Sequence, residues 1–120
     1  MAGHFFKTLE EKQMADPRFI VIYPRPKNIA AFERVYTEKH VPLAAKKIAG
    51  KTKIVTTKIV GSPQGTPPYY RMVQVHFPSM AALKRSAGTA GTQEALAHAV
   101  KISTGGAPIF LIAEEQTFEF

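Results

Sequence analysis

Arg18-Phe-Ile-Val-Ile-Tyr-Pro24 is the stretch whose reading decides the fold. It is an unbroken apolar run of β-branched and aromatic residues that a proline stops, as expected of a strand buried on both faces. Near the other end, Pro108-Ile-Phe-Leu-Ile-Ala113 repeats the pattern. Two fully apolar strands this short cannot cover themselves, so everything between them has to supply a cover.

Outward from the first strand, Pro24 and Pro26 punctuate a turn and Asn28 is a plausible helix N-cap. Ile29, Phe32, Tyr36 and His40 then recur at helical spacing, a stripe on one face. The residue before a proline is pushed away from α geometry, so Val41, preceding Pro42, predicts a break there. Leu43 to Ile48 continues as a short helix that Gly50 ends. Residues 51–60 are rich in threonine, isoleucine and valine and read as a strand. Gly61 to Pro68 is a turn-forming loop, and residues 69–77 are the next strand. Its two faces are Tyr69, Arg71, Val73, Val75, Phe77 and the more amphipathic Tyr70, Met72, Gln74, His76. Ser79 caps a helix to Ala87; Thr92 opens another to about Ile102, and Gly105-Gly106 ends it.

The order is β-α-β-β-α-β with the second helical region split in two. That is the ferredoxin-like arrangement, an α+β fold with a four-stranded antiparallel sheet covered by helices on one face. Because the first and last strands are apolar on both faces, the second face needs a cover as well. A second copy of the chain is the simplest one, which makes a homodimer the expected state.

Composition bounds the function. A chain of 120 residues with 45% hydrophobic and 21% charged residues forms one domain with its own core. We place that domain at residues 18–120 and read residues 1–17 as an N-terminal extension; Met14 is an alternative start. Cysteine is absent, which excludes a disulfide framework and a thiol nucleophile. No apolar run is long enough to span a bilayer, and the N-terminus lacks a signal-peptide pattern, so no membrane association and a cytoplasmic location are expected. The net charge of +7 comes from scattered basic residues, only Lys46, Lys47, Lys51 and Lys53 forming a patch. RNA-recognition motifs share the element order and carry aromatics on the third strand, but they need small glycine positions that residues 69–77 lack. Nucleic acid is therefore not the expected partner.

Among candidate sites, His40 stands first, a group able to move a proton near neutral pH at a point where the chain turns. Tyr36, one turn earlier, is placed to donate a hydrogen bond to a ligand oxygen. The structural alternative is that His40 caps the helix end. Phe32 and the strand residues Tyr23, Tyr70, Met72 and His76 are candidate ligand contacts, with Tyr70 and His76 expected on one strand face; filling the core or an interface is the alternative role for each. His98 is placed opposite the Leu96-Ala99-Val100 stripe and expected to be exposed. No histidine spacing suits a metal, Gly50-Lys51-Thr52 lacks the first glycine of a phosphate-binding loop, and nothing argues for haem, so no metal and no cofactor are expected.

Taken together, Tyr23-Pro24, Phe32, Tyr36…His40-Val-Pro-Leu43, Gly50, Pro67-Pro-Tyr-Tyr-Arg71, Phe77-x-Ser79 and Gly105-Gly106 resemble the EthD family over about residues 18–114. The resemblance implies a dimeric α/β barrel with a cavity between sheet and helices in each subunit. The family takes its name from a gene associated with cytochrome-P450-linked degradation of ethyl tert-butyl ether. Its wider superfamily includes isomerases, cyclases, cofactor-free monooxygenases and haem-degrading enzymes. Where the family often carries an Asp and then an Asn-Phe pair, this chain has His98, Lys101 and Ile102. The implied function is binding of a small hydrophobic oxygenated compound in its degradation. Either the protein is a cofactor-independent enzyme of isomerase, cyclase, dehydratase or monooxygenase type with His40 as acid–base group, or it is a non-catalytic accessory to an oxygenase.

Overall fold

The computed structural model describes residues 16–120. The extension read over residues 1–17 lies almost wholly outside them. Four strands, β1 (Arg18–Pro24), β2 (Lys53–Lys58), β3 (Tyr69–His76) and β4 (Ile109–Ala113), form one antiparallel sheet in the order β2-β3-β1-β4. The helices are α1 (Ile29–Val35), α2 (Val41–Lys47), α3 (Met80–Ala87) and α4 (Ala90–Ile102), with a π-turn at Tyr36–His40 joining α1 to α2. This is the ferredoxin-like α+β fold that the element order predicts.

The caps behave as the sequence suggests. Asn28 accepts from the Ala31 N–H at 3.0 Å and Ser79 from the Ala82 N–H at 3.1 Å. The last helix differs at its start. The helix does not open at Thr92 but a turn earlier, with Thr89 as its cap accepting from the Thr92 N–H at 3.2 Å, while Thr92 itself is fully buried against the Ser86 hydroxyl.

Pro42 corrects another expectation. Val41 keeps helical geometry (φ −59°, ψ −47°), and the chain does not break. Instead the Val41 N–H reaches back five residues to the Tyr36 carbonyl. A proline needs relief from its missing N–H and from the carbonyl one turn earlier; a wider turn immediately before it supplies both. The π-turn also aims side chains. Four residues overshoot a regular helical turn by about 40°, so a stripe at that spacing drifts around the helix. Widening one turn offsets the drift and keeps Phe32, Tyr36 and His40 all buried against the sheet.

Register fixes which face is which. Phe19, Val21 and Tyr23 of β1 pair with Val75, Val73 and Arg71 of β3, and Ile54 and Thr56 of β2 lie opposite Val75 and Val73. These residues share the helix-covered face. A bulge between Tyr23 and Pro24 leaves Tyr70 as the extra residue of β3. The helix layer is held close by two glycines. A Cβ at Gly91 would lie 2.4 Å from the Lys47 carbonyl oxygen, and one at Gly105 only 1.9 Å from that of Arg25. No other residue permits these approaches of α2 to α4 and of the two turns at the sheet end.

The other face, with Ile20, Ile22, Met72, Val55 and Leu111 half-buried or exposed, carries no helix among the described residues. No helix among the described residues is long and apolar enough to cross a membrane.

Candidate active site

The helix layer and the sheet enclose a narrow apolar cavity of about 30 Å³. Its walls include Phe19, Val21, Tyr23 and Val73 from the strands, Tyr36, His40 and Val41 from the π-turn region, and Leu96 and Ala99 from α4. Phe32 packs behind, its ring 5.2 Å from that of Tyr23 and stacked 5.6 Å from that of Tyr36.

His40 is the polar centre of this wall. Its Nε2 lies 3.3 Å from the Tyr23 hydroxyl and its Nδ1 2.9 Å from Nδ1 of His98. Each contact needs one donor and one acceptor. If Tyr23 O–H donates to Nε2, the proton of neutral His40 sits on Nδ1 and is given to His98. In the reverse polarity His98 donates to His40 Nδ1 and His40 Nε2–H donates to the Tyr23 oxygen. Both assignments satisfy both bonds. Burial in the apolar wall, assisted by the neighbouring His98, pulls the His40 pKa from 6.5 down to about 4, so the ring is neutral near pH 7. Burial likewise raises Tyr23 far above the usual phenol range, which keeps its proton in place.

A second polar cluster backs the first. Arg71 is buried, with its guanidinium 4.6 Å over the Tyr36 ring and 2.7 Å from both a Glu33 carboxylate oxygen and the Thr56 hydroxyl. Tyr70 also donates to that Glu33 oxygen. Although burial opposes it, the hydrogen bonds from Tyr70 and Arg71 hold the Glu33 carboxyl below its usual pKa. The Tyr36 hydroxyl donates to Thr56 at 3.0 Å. This cluster fixes the Tyr36 ring as a cavity wall and occupies its hydroxyl.

Several expectations change accordingly. The phenol that meets His40 is Tyr23; Tyr36 contributes its ring face, and its proton is already engaged. Tyr70 and His76 do not share a cavity face. The bulge turns Tyr70 to the helix side, where its ring meets Phe32 at 5.8 Å. His76 lies on the uncovered face at the far end of β3, bonded to Asp16 at 2.7 Å. Met72 also faces the uncovered side. The alternation in residues 69–77 was legible, but which set meets the helices depends on the pairing with β1.

His98 is half-buried and in contact with His40, contrary to the expected exposure. The signal was present. His98 stands three residues after Ala95 and four before Ile102, both buried, and thus flanks the true buried stripe Thr92, Ala95, Ala99 and Ile102. Val100, assigned to the stripe by its apolar side chain, is 50% exposed. Among the described residues no group of three or more His, Asp or Glu converges on a metal position.

An antiparallel sheet with helices on one face, a small apolar cavity between the layers and a histidine in its wall define a ferredoxin-like α+β protein with an internal cavity. The EthD domain model matches residues 28–101, and the chain belongs to that family. It is similar to an uncharacterized 11.0 kDa protein in the thcB–thcC intergenic region of Rhodococcus erythropolis, 28% identical over 98 residues that make up 82% of this chain and 94% of that one. Among solved structures it resembles an ethyl tert-butyl ether degradation (EthD) family protein from Bacillus halodurans C-125, with TM-score 0.77 and 29% identity over 84% of this chain and 99% of the other. A dimeric ferredoxin-like protein of unknown function from Jannaschia sp. CCS1 shares the fold, with TM-score 0.58 and 18% identity over 82% of this chain and 98% of that chain.

Proposed function

We propose that this protein binds a small, hydrophobic, oxygenated compound in the sheet–helix cavity and moves a proton on it without a cofactor. The Tyr23–His40–His98 chain carries this reading. A substrate carbon or oxygen that gives a proton to His40 Nε2 lets the Nδ1 proton pass to His98, whose Nε2 proton leaves to solvent. His40 starts and ends neutral, so the burial that disfavours its cation does not block the transfer. The Tyr23 hydroxyl then donates to the substrate oxygen where negative charge gathers. Such a step is common to isomerisation, cyclisation and dehydration. The enclosed space limits the ligand to a few heavy atoms unless Val41 and Leu96 swing aside.

The same reading has the protein act as a homodimer. The uncovered sheet face and the exposed Phe110, Leu111 and Ile112 of edge strand β4 support it, since a bare apolar face and edge are otherwise an aggregation hazard. Similarity to a protein described as dimeric points the same way.

The test is proton–deuterium exchange. Small ketones, lactones and ethers would be incubated with the protein in D2O and followed by NMR, alongside His40→Ala. Exchange in the wild type that His40→Ala abolishes, with ligand-induced shifts at Val21 and Val73 retained, supports the enzyme. Ligand shifts without exchange in the wild type would instead favour a non-catalytic accessory to an oxygenase pathway. Unchanged exchange in His40→Ala would overturn the role given to that residue.

A further inference from the structure

A second, larger concavity lies on the outer side of the helix layer, where α1 and the π-turn meet the C-terminal end of α4. It measures about 620 Å³, within the range of small-molecule sites, which run from roughly 300 to 1,000 Å³. Its floor is apolar, formed by Ala31, Phe32, Val35 and Ile102. Lys27, Lys39 and Lys101 stand around it from three different segments, each exposed. The residues that line the groove include no carboxylate, and none of the three lysines pairs with one among the described residues. Three unneutralised cations over an apolar floor repel each other unless something of opposite charge joins them, and a concave wall focuses that potential inward. We propose that this groove is a binding site for a small organic carboxylate with an apolar body, the body resting on Phe32 and Ile102 and the carboxylate among the lysines.

The groove is separate from the sheet–helix cavity, but the two share a wall. His98 lines the groove with its Nδ1 engaged by His40, which leaves Nε2 as the nitrogen available to the groove. A carboxylate there accepts the Nε2 proton and fixes His98 Nδ1 as the acceptor from His40. Occupancy of the groove thus selects the polarity in which Tyr23 donates to His40. The binding site itself does not depend on the cavity being catalytic.

Benzoate and benzamide, the same ring with and without the charge, are suitable probes. In an amide-shift NMR titration at low salt, benzoate should move Val35, His98 and Ile102. Lys39→Gln and Lys101→Gln should each weaken it by about two- to fivefold, the range for exposed charge pairs. Raising the salt tenfold should weaken it further. The groove shifts should persist in His40→Phe, so failure of the cavity chemistry leaves this result standing. The proposal is overturned if benzamide binds as well as benzoate, if the shifts fall only at Val21 and Val73, or if both lysine variants bind like the wild type.

Discussion

Lowering the pH from 7 to 4.5 should destabilise the fold through His40, and His40→Phe should remove most of that effect. In the unfolded chain the imidazole takes up its proton near pH 6.5, whereas in the native wall it resists until about pH 4. Between these values the unfolded state binds more protons, so stability falls as pH falls. A pKa difference of that size corresponds to about 3 kcal/mol. One side of the site opens towards the half-exposed His98, so solvent screening reduces the expected loss to roughly 1.5 kcal/mol. For a domain of this size that is a drop in Tm of about 6–10 °C. Urea and thermal unfolding at pH 7, 6, 5 and 4.5, at one fixed protein concentration, would measure it. Phenylalanine is a ring without a titrating group, so the variant should show a much flatter profile across this window. The Glu33 and Asp16 carboxyls, both held below their usual pKa, begin to contribute only at the acid end of this window, as the unfolded chain takes up their protons, and contribute mainly below it. An equally steep loss in His40→Phe, or stability that rises as pH falls from 6.5 to 4.5, would refute the argument that this ring is buried neutral.

Gly105→Ala should cost about 2–3 kcal/mol, an overpacking penalty from a Cβ forced against the Arg25 carbonyl oxygen, and a Tm within a degree or two of wild type would disprove that contact. Glu33→Ala removes the partner of the buried Arg71 and should cost about 2 kcal/mol in chemical denaturation, below the fully buried case because the Glu33 side chain is 31% exposed. A loss no larger than that of an ordinary surface pair would show that Arg71 is neutralised elsewhere. Leu111→Glu places a charge on the uncovered sheet face and should shift sedimentation from dimer to monomer; a wild type that sediments as a monomer at micromolar concentration would defeat the dimer proposal.

The π-turn shows why local reading stopped short. Pro42 announced a disturbance in the helix, and a break is the cheapest local answer. With the sheet beneath, breaking the helix would lift Tyr36 and His40 out of the apolar layer. Widening a single turn relieves the proline and keeps both rings buried, so the packing selects the π form.

Determined by the sequence alone were the elements and their order. Apolar runs, proline and glycine punctuation and short-range caps are local signals, and they placed four strands and the helix layer, with His40 as a candidate at the turn before Pro42. Left to the tertiary structure were the partners. Which face of residues 69–77 meets the helices follows from the register with Arg18–Pro24 and from the bulge at Tyr70, neither of which a single strand encodes. That Tyr23 and His98, 17 and 58 residues away from His40, are the groups that bond it follows from the sheet pairing and the close approach at Gly91. Hydrogen bonds act over about 3 Å whatever the separation along the chain, and only the closed fold sets those distances.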